Sequence, residues 1–175
     1  MANKVYYANA VYSKEEINTS VFNFKELHNL YKNHPLDDLE VLLEGKQHKL
    51  THKPDIEQFA DYRYSLIFIN AREAKEIFGN LKKVFELKFP QIKKASSWDV
   101  HIYSSYSGES KSFHVHADIA DNVILQTEGL SKWHLPNYFD TTLAPGDMIW
   151  IPKGVKHQCK PLNRRISLSF AFWYF

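Results

Sequence analysis

Hydrophobic positions in the first ninety residues switch between helical and extended spacing. Phe24, Leu27, Leu30 and Tyr31 recur at three and four residues, which predicts one apolar stripe along a helix. Upstream, Ser13-Lys14-Glu15-Glu16 has the spacing of a capping box. Tyr64 to Ile69 reads as a buried strand, and a second helix is predicted from near Asn70, with Glu73 at its third position. That helix would turn Ala74, Ile77, Phe78, Leu81, Val84 and Phe85 inward until Pro90 stops it. Beyond Pro90 the period becomes two, over Trp98 to Tyr103 and again over Arg165 to Phe172. Gly108, Gly129, Pro136, Pro145-Gly146 and Pro152-Lys153-Gly154 punctuate this half at turn-like intervals. Short strands at such spacing predict an antiparallel barrel or sandwich, with the N-terminal helices packed outside it.

A chain of 175 residues, 44% hydrophobic and 15% aromatic, suffices for one well-buried core and is short for two. The expectation is a single domain over 1–175, with helices and strands of 1–95 flanking a β core over 96–175. Against 22 basic side chains stand 20 acidic ones, a formal charge of +2, so nothing global points to nucleic acid or membrane as a partner. The imbalance is local: from Met148 to Phe175 there are Lys153, Lys156, Lys160, Arg164 and Arg165 but no Asp or Glu, which favours a small anion. The lone Cys159 excludes an internal disulfide and fits a reducing compartment. No apolar stretch approaches twenty residues, and Met1 to Val5 lack the apolar run of a secretory signal. A cytoplasmic location is the expectation.

The candidate chemistry lies in Phe113-His114-Val115-His116-Ala117-Asp118. Nine histidines and 20 acidic residues make about one His-x-acid triplet expected by chance, so context has to carry the motif. If the segment is a strand, His114, His116 and Asp118 share one face, where a dry core would penalise them unless they meet a partner. About forty residues on, Gly146-Asp147 predicts a turn, Met148 to Ile151 a buried strand, and Pro152-Lys153-Gly154 a second turn. His157 is expected on the strand returning from it, beside the first segment. Two neutral imidazoles and one carboxylate with open positions around them suit a mononuclear ferrous ion.

The run from His116 through Gln126, Gly129 and Trp133, followed by Leu143-Ala144-Pro145-Gly146-Asp147, Pro152-x-Gly154 and His157, resembles the cupin-like jumonji-C-type 2-oxoglutarate oxygenases. The match covers residues 97 to 172. It implies a mainly β double-stranded β-helix of the cupin or jelly-roll type with flanking N-terminal helices. It also implies Fe(II) held by His116, Asp118 and His157, and oxidative decarboxylation of 2-oxoglutarate coupled to hydroxylation. The same residues resemble the general cupin pattern as well. Under that pattern His114 joins His116 and His157 as a ligand, and Asp121 takes the place of a glutamate. The Gln126, Gly129 and Trp133 register favours the first phase, leaving His114 and Gln126 as second-layer groups or, for His114, an extra ligand.

Jumonji-like relatives grip the far carboxylate of 2-oxoglutarate with a lysine fifteen residues after the first histidine, where this chain has Ser131 and, one residue late, Lys132. A one-residue shift turns a strand side chain to the other face, so Lys132 serves only if a bulge intervenes. Arg165-Ile166-Ser167 resembles the Arg-x-Ser signature of other 2-oxoglutarate oxygenases, and Arg165 with Ser167 would hold a carboxylate through a guanidinium fork and a hydroxyl. Tyr103 and Asn122 are further co-substrate candidates, and Cys159 would share the face of His157. Beyond the ligands no separate catalytic residue stands out. The substrate is left open between a small molecule and a peptide side chain, and an open sheet edge would suit a homodimer. Two rivals remain: a metal-dependent cupin dioxygenase or isomerase without 2-oxoglutarate, and a non-catalytic cupin that binds a small ligand.

Overall fold

A computed structural model describes residues 6–8, 22–43 and 45–175. Among the described residues, eleven strands form two sheets. β1 (Tyr6–Ala8), β2 (Leu39–Leu43), β3 (Lys46–Lys49), β4 (Ser65–Phe68), β5 (Ser97–Ser105), β6 (Asp121–Glu128), β9 (Met148–Ile151) and β11 (Arg165–Trp173) make the larger, in the order β1-β9-β6-β11-β5-β4-β2-β3. β7 (Ser131–Leu135), β8 (Phe139–Leu143) and β10 (Gln158–Pro161) make the smaller, in the order β10-β7-β8. All the pairings are antiparallel. The mainly β double-stranded β-helix implied by the motifs is the observed architecture. The capping box at Ser13 to Glu16 lies outside the described residues.

The larger sheet is covered on both sides at β6, β9 and β11, so these strands alternate between two apolar environments and not between core and water. On β11, Ile166, Leu168, Phe170 and Phe172 join the core beneath the helices, while Arg165, Ser167 and Ser169 face the space between the sheets. β6 and β9 divide the same way: Val123, Leu125, Met148 and Trp150 pack outward, and Ile124, Ile149 and Ile151 pack inward against Trp133, Leu135 and Leu143 of the smaller sheet. The smaller sheet has one wet face, and Lys132 and His134 lie on it between buried Ser131, Trp133 and Leu135.

Helix α1 (Phe24–Asn33) forms where the stripe predicts it, burying Phe24, Leu27 and Tyr31. Asn23 starts it, its Oδ1 accepting from the amides of Lys25 at 2.9 Å and Glu26 at 3.2 Å. A second tie comes from the barrel: Glu128 Oε2 accepts from Phe24 N at 3.0 Å. A short helix, α2 (Gln58–Tyr62), follows β3, and α3 (Arg72–Lys88) lies over β11 with Phe85 edge-on to Phe170 at 4.8 Å between ring centres. α3 starts later than its pattern suggests. Asn70 takes a left-handed conformation, φ 49°, and its amide donates to Asp38 at 3.1 Å, so it ends the β4 connection and does not cap the helix.

β2, β3 and β4 flank the barrel as an extension of its larger sheet, because β4 pairs with β5. The turn at Pro152 to Gly154 does not return the chain along β9 as expected: β9 belongs to the larger sheet and β10 to the smaller, so the turn carries the chain across the gap between them.

Candidate metal centre and its cavity

Residues 111–120 are loop, not the strand that the alternation suggests, and His157 lies beside His116 because of one isolated bridge. His116 N donates to His157 O at 3.1 Å and His157 N to His116 O at 2.8 Å, a single antiparallel pair that sets the two histidines opposite each other. Their rings are 4.5 Å apart between centres. Further bonds zip the loop to the distant segment: Gly154 N to Asp118 O at 3.0 Å, Gln158 Nε2 to Phe113 O at 3.0 Å, and Ser112 Oγ to Cys159 O. The three side chains converge, their donor atoms all within 4.8 Å of one another. His116 Nε2 is 3.7 Å from Asp118 Oδ1, and His157 Nε2 is 3.5 Å from Asp118 Oδ2.

Each imidazole is held in one tautomer. His116 Nδ1 faces the carbonyl of His114 at 2.8 Å and His157 Nδ1 that of Val155 at 3.0 Å. A carbonyl only accepts, so both Nδ1 atoms carry the proton and both Nε2 lone pairs face the carboxylate. Burial pushes the His157 pKa below its ordinary value, and nearby His116 adds to this, against the Val155 hydrogen bond and the Asp118 charge. Asn122 steadies the carboxylate, donating to Asp118 Oδ2 at 2.7 Å. Two neutral nitrogens with fixed tautomers and an oriented carboxylate fit a divalent cation such as Fe(II).

The three donors open onto a cavity between the sheets that Tyr103, Phe113, Trp133, Arg165 and Ser167 also line. Trp133 stacks on His157 at 5.9 Å and 29°. Arg165 is 3% exposed, and its Nη1 donates to Ser167 Oγ at 2.7 Å. Its Nε has no partner, and no carboxylate among the described residues forms an ion pair with it. A buried guanidinium in this state has hydrogen-bonding capacity and charge to offer an anion.

The model of the JmjC domain family matches residues 136–174. Over 97% of this chain and 48% of the other, the structure is similar to YcfD, a ribosomal oxygenase from Escherichia coli, in complex with cobalt and 2-oxoglutarate, with TM-score 0.72 and 18% identity. The fold is a double-stranded β-helix like that of YcfD. YcfD in complex with cobalt and succinic acid is similar over 86% of this chain and 43% of that one, with TM-score 0.65 and 20% identity. This chain therefore spans about half the length of YcfD. No curated protein matches the sequence.

Within this barrel the candidates separate. His116, Asp118 and His157 come together, and Tyr103, Arg165, Ser167 and Cys159 share their cavity. His114 does not join the cluster: it is exposed, and its ring lies so close to Gly45 that a Cβ there would be 2.3 Å from it. Asp121 is occupied elsewhere, accepting from Lys153 N at 2.7 Å. Lys132 points to solvent, since β7 keeps continuous register with both neighbours and no bulge turns it inward. Lys153, Lys156, Lys160 and Arg164 are exposed too, so the local basic excess reduces to Arg165 inside the cavity. Arg165 is not a sheet-edge charge, because β11 lies between β5 and β6. Asn122 is directed at Asp118 and not at the cavity. The stacking of Trp133 on His157 and the inward hydroxyl of Ser131 escape sequence reading, because both depend on how the two sheets face each other.

Proposed function

We propose that this chain forms the catalytic core of an Fe(II)- and 2-oxoglutarate-dependent oxygenase that hydroxylates a small molecule or a peptide side chain. The observation that carries the reading is one cavity holding both the oriented His116, Asp118, His157 donor set and the buried, anion-seeking Arg165. Once iron and 2-oxoglutarate are bound, dioxygen would supply the oxidising equivalents, one of its atoms entering the succinate left when 2-oxoglutarate loses carbon dioxide and the other the hydroxyl of the product. His116, Asp118 and His157 would hold the metal, while Arg165 and Ser167 would bind the far carboxylate of the co-substrate. Tyr103, whose hydroxyl burial pushes up well above the ordinary range, stays a neutral hydrogen-bond donor beside that carboxylate. Phe113 and Trp133 wall the cavity and keep water from the reacting atoms.

Val115 and Ile119, next to His116 and Asp118 in the chain, are 43% and 77% exposed, apolar surface that a peptide segment could cover. The similarity to YcfD, a ribosomal oxygenase, makes ribosomal components one substrate class to assay. The test is anaerobic addition of Fe(II) and 2-oxoglutarate, followed by admission of oxygen with and without candidate peptides. A visible charge-transfer band and oxygen-dependent succinate, both lost in His157→Ala, are expected. Neither signal from well-folded protein would reject the oxygenase reading.

A further inference from the structure

Gln126 is fully buried and does not line the cavity, yet it sets the direction of the hydrogen bonds behind Arg165. Its Nε2 donates to Glu128 O at 2.7 Å, and because a carbonyl only accepts, the amide has one orientation. Its Oε1 consequently faces the hydroxyls of Ser131 at 2.8 Å and Ser167 at 2.7 Å and accepts from both. Each hydroxyl has a single proton, now directed at Gln126. Ser167 Oγ is left to accept from Arg165 Nη1 at 2.7 Å, and Ser131 Oγ to accept from Trp133 Nε1 at 3.0 Å. One amide thus orients two branches, one ending at the guanidinium and the other at the indole stacked on His157.

The backbone is built for this contact. Ser167 pairs with Gln126 while Ile166 pairs with Glu128, so Thr127 is an extra residue in β6. The bulge falls between Gln126 and the carbonyl that orients its amide, and it keeps Gln126 and Ser167 directly opposed on the inner face.

We infer that Gln126 is a positioning residue that sets co-substrate specificity: by accepting both serine protons it makes Ser167 an acceptor for Arg165, holding the guanidinium where a second carboxylate must meet it. The inference rests on the 2-oxoglutarate reading above. Gln126 touches no ligand itself and acts through Ser167 on Arg165.

The test is calorimetric titration of the cobalt(II)-loaded protein with 2-oxoglutarate and, separately, with pyruvate, a 2-oxo acid without the second carboxylate. Cobalt affinity, read from visible absorption, reports whether the centre is intact. Gln126→Leu should weaken 2-oxoglutarate about tenfold and leave pyruvate within about twofold. Gln126→Glu, which keeps the volume but gives Arg165 an internal counter-ion, should weaken 2-oxoglutarate further and again spare pyruvate; it carries the test should the leucine variant not fold. Unchanged 2-oxoglutarate affinity, or equal weakening of both acids, would overturn the inference. A wild-type protein with no preference for 2-oxoglutarate over pyruvate would instead remove the functional reading beneath it, and the inference with it.

Discussion

Replacing Arg165 by methionine should move stability and ligand binding in opposite directions. Arg165 is 3% exposed, and its guanidinium has one hydrogen bond to Ser167, leaves Nε without a partner and forms no ion pair among the described residues. Exchanging a buried charge in that state for an apolar chain of similar length stabilises a fold by about 1–4 kcal/mol. Ser167 loses its donor, which offsets about 1 kcal/mol, so a net gain of about 2 kcal/mol is expected for the co-substrate-free protein. For a chain of this size that is a rise in Tm of about 4–8 °C. Adding 2-oxoglutarate at a hundred times its Kd should stabilise metal-loaded wild type by about 2.7 kcal/mol and the variant hardly at all. Thermal melts by circular dichroism, with and without 2-oxoglutarate, read both effects. A variant that melts below wild type without co-substrate, or keeps the co-substrate shift, refutes the argument, because Arg165 would then be a structural group and not an anion receptor.

Asn122→Ala should weaken metal binding about 10- to 100-fold in a chelator competition, since the carboxylate of Asp118 loses its 2.7 Å hydrogen bond; unaltered affinity would mean the bond does not orient it. Gly129→Ala should destabilise by about 2–4 kcal/mol in urea, because φ is +69° and a Cβ would come within 1.9 Å of the Arg164 carbonyl oxygen. Metal-free protein should lose stability as pH falls below about 6.5, where unfolded imidazoles take protons that His101 and His157, both shifted down chiefly by burial, resist. Stability is complete above that pH, and a flat urea midpoint between pH 7.5 and 5.5 would contradict it.

The sequence determined what its local periods encode. Phe24 to Tyr31 could bury a helical stripe, Trp98 to Tyr103 and Arg165 to Phe172 could alternate across a sheet, and the register from His116 to Trp133 together with Pro152-x-Gly154 and His157 named the barrel and its candidate ligands. Tertiary structure decided whatever depends on two distant segments meeting. The His116–His157 bridge, and not a strand, gathers the ligands; the facing of the two sheets sends Lys132 to water and keeps Arg165 in the cavity; the bulge at Thr127 brings Gln126 to Ser167. The physical reason is range. A dihedral preference or an apolar period acts within a few residues, whereas a hydrogen bond closing across forty residues exists only once the whole sheet has chosen its register.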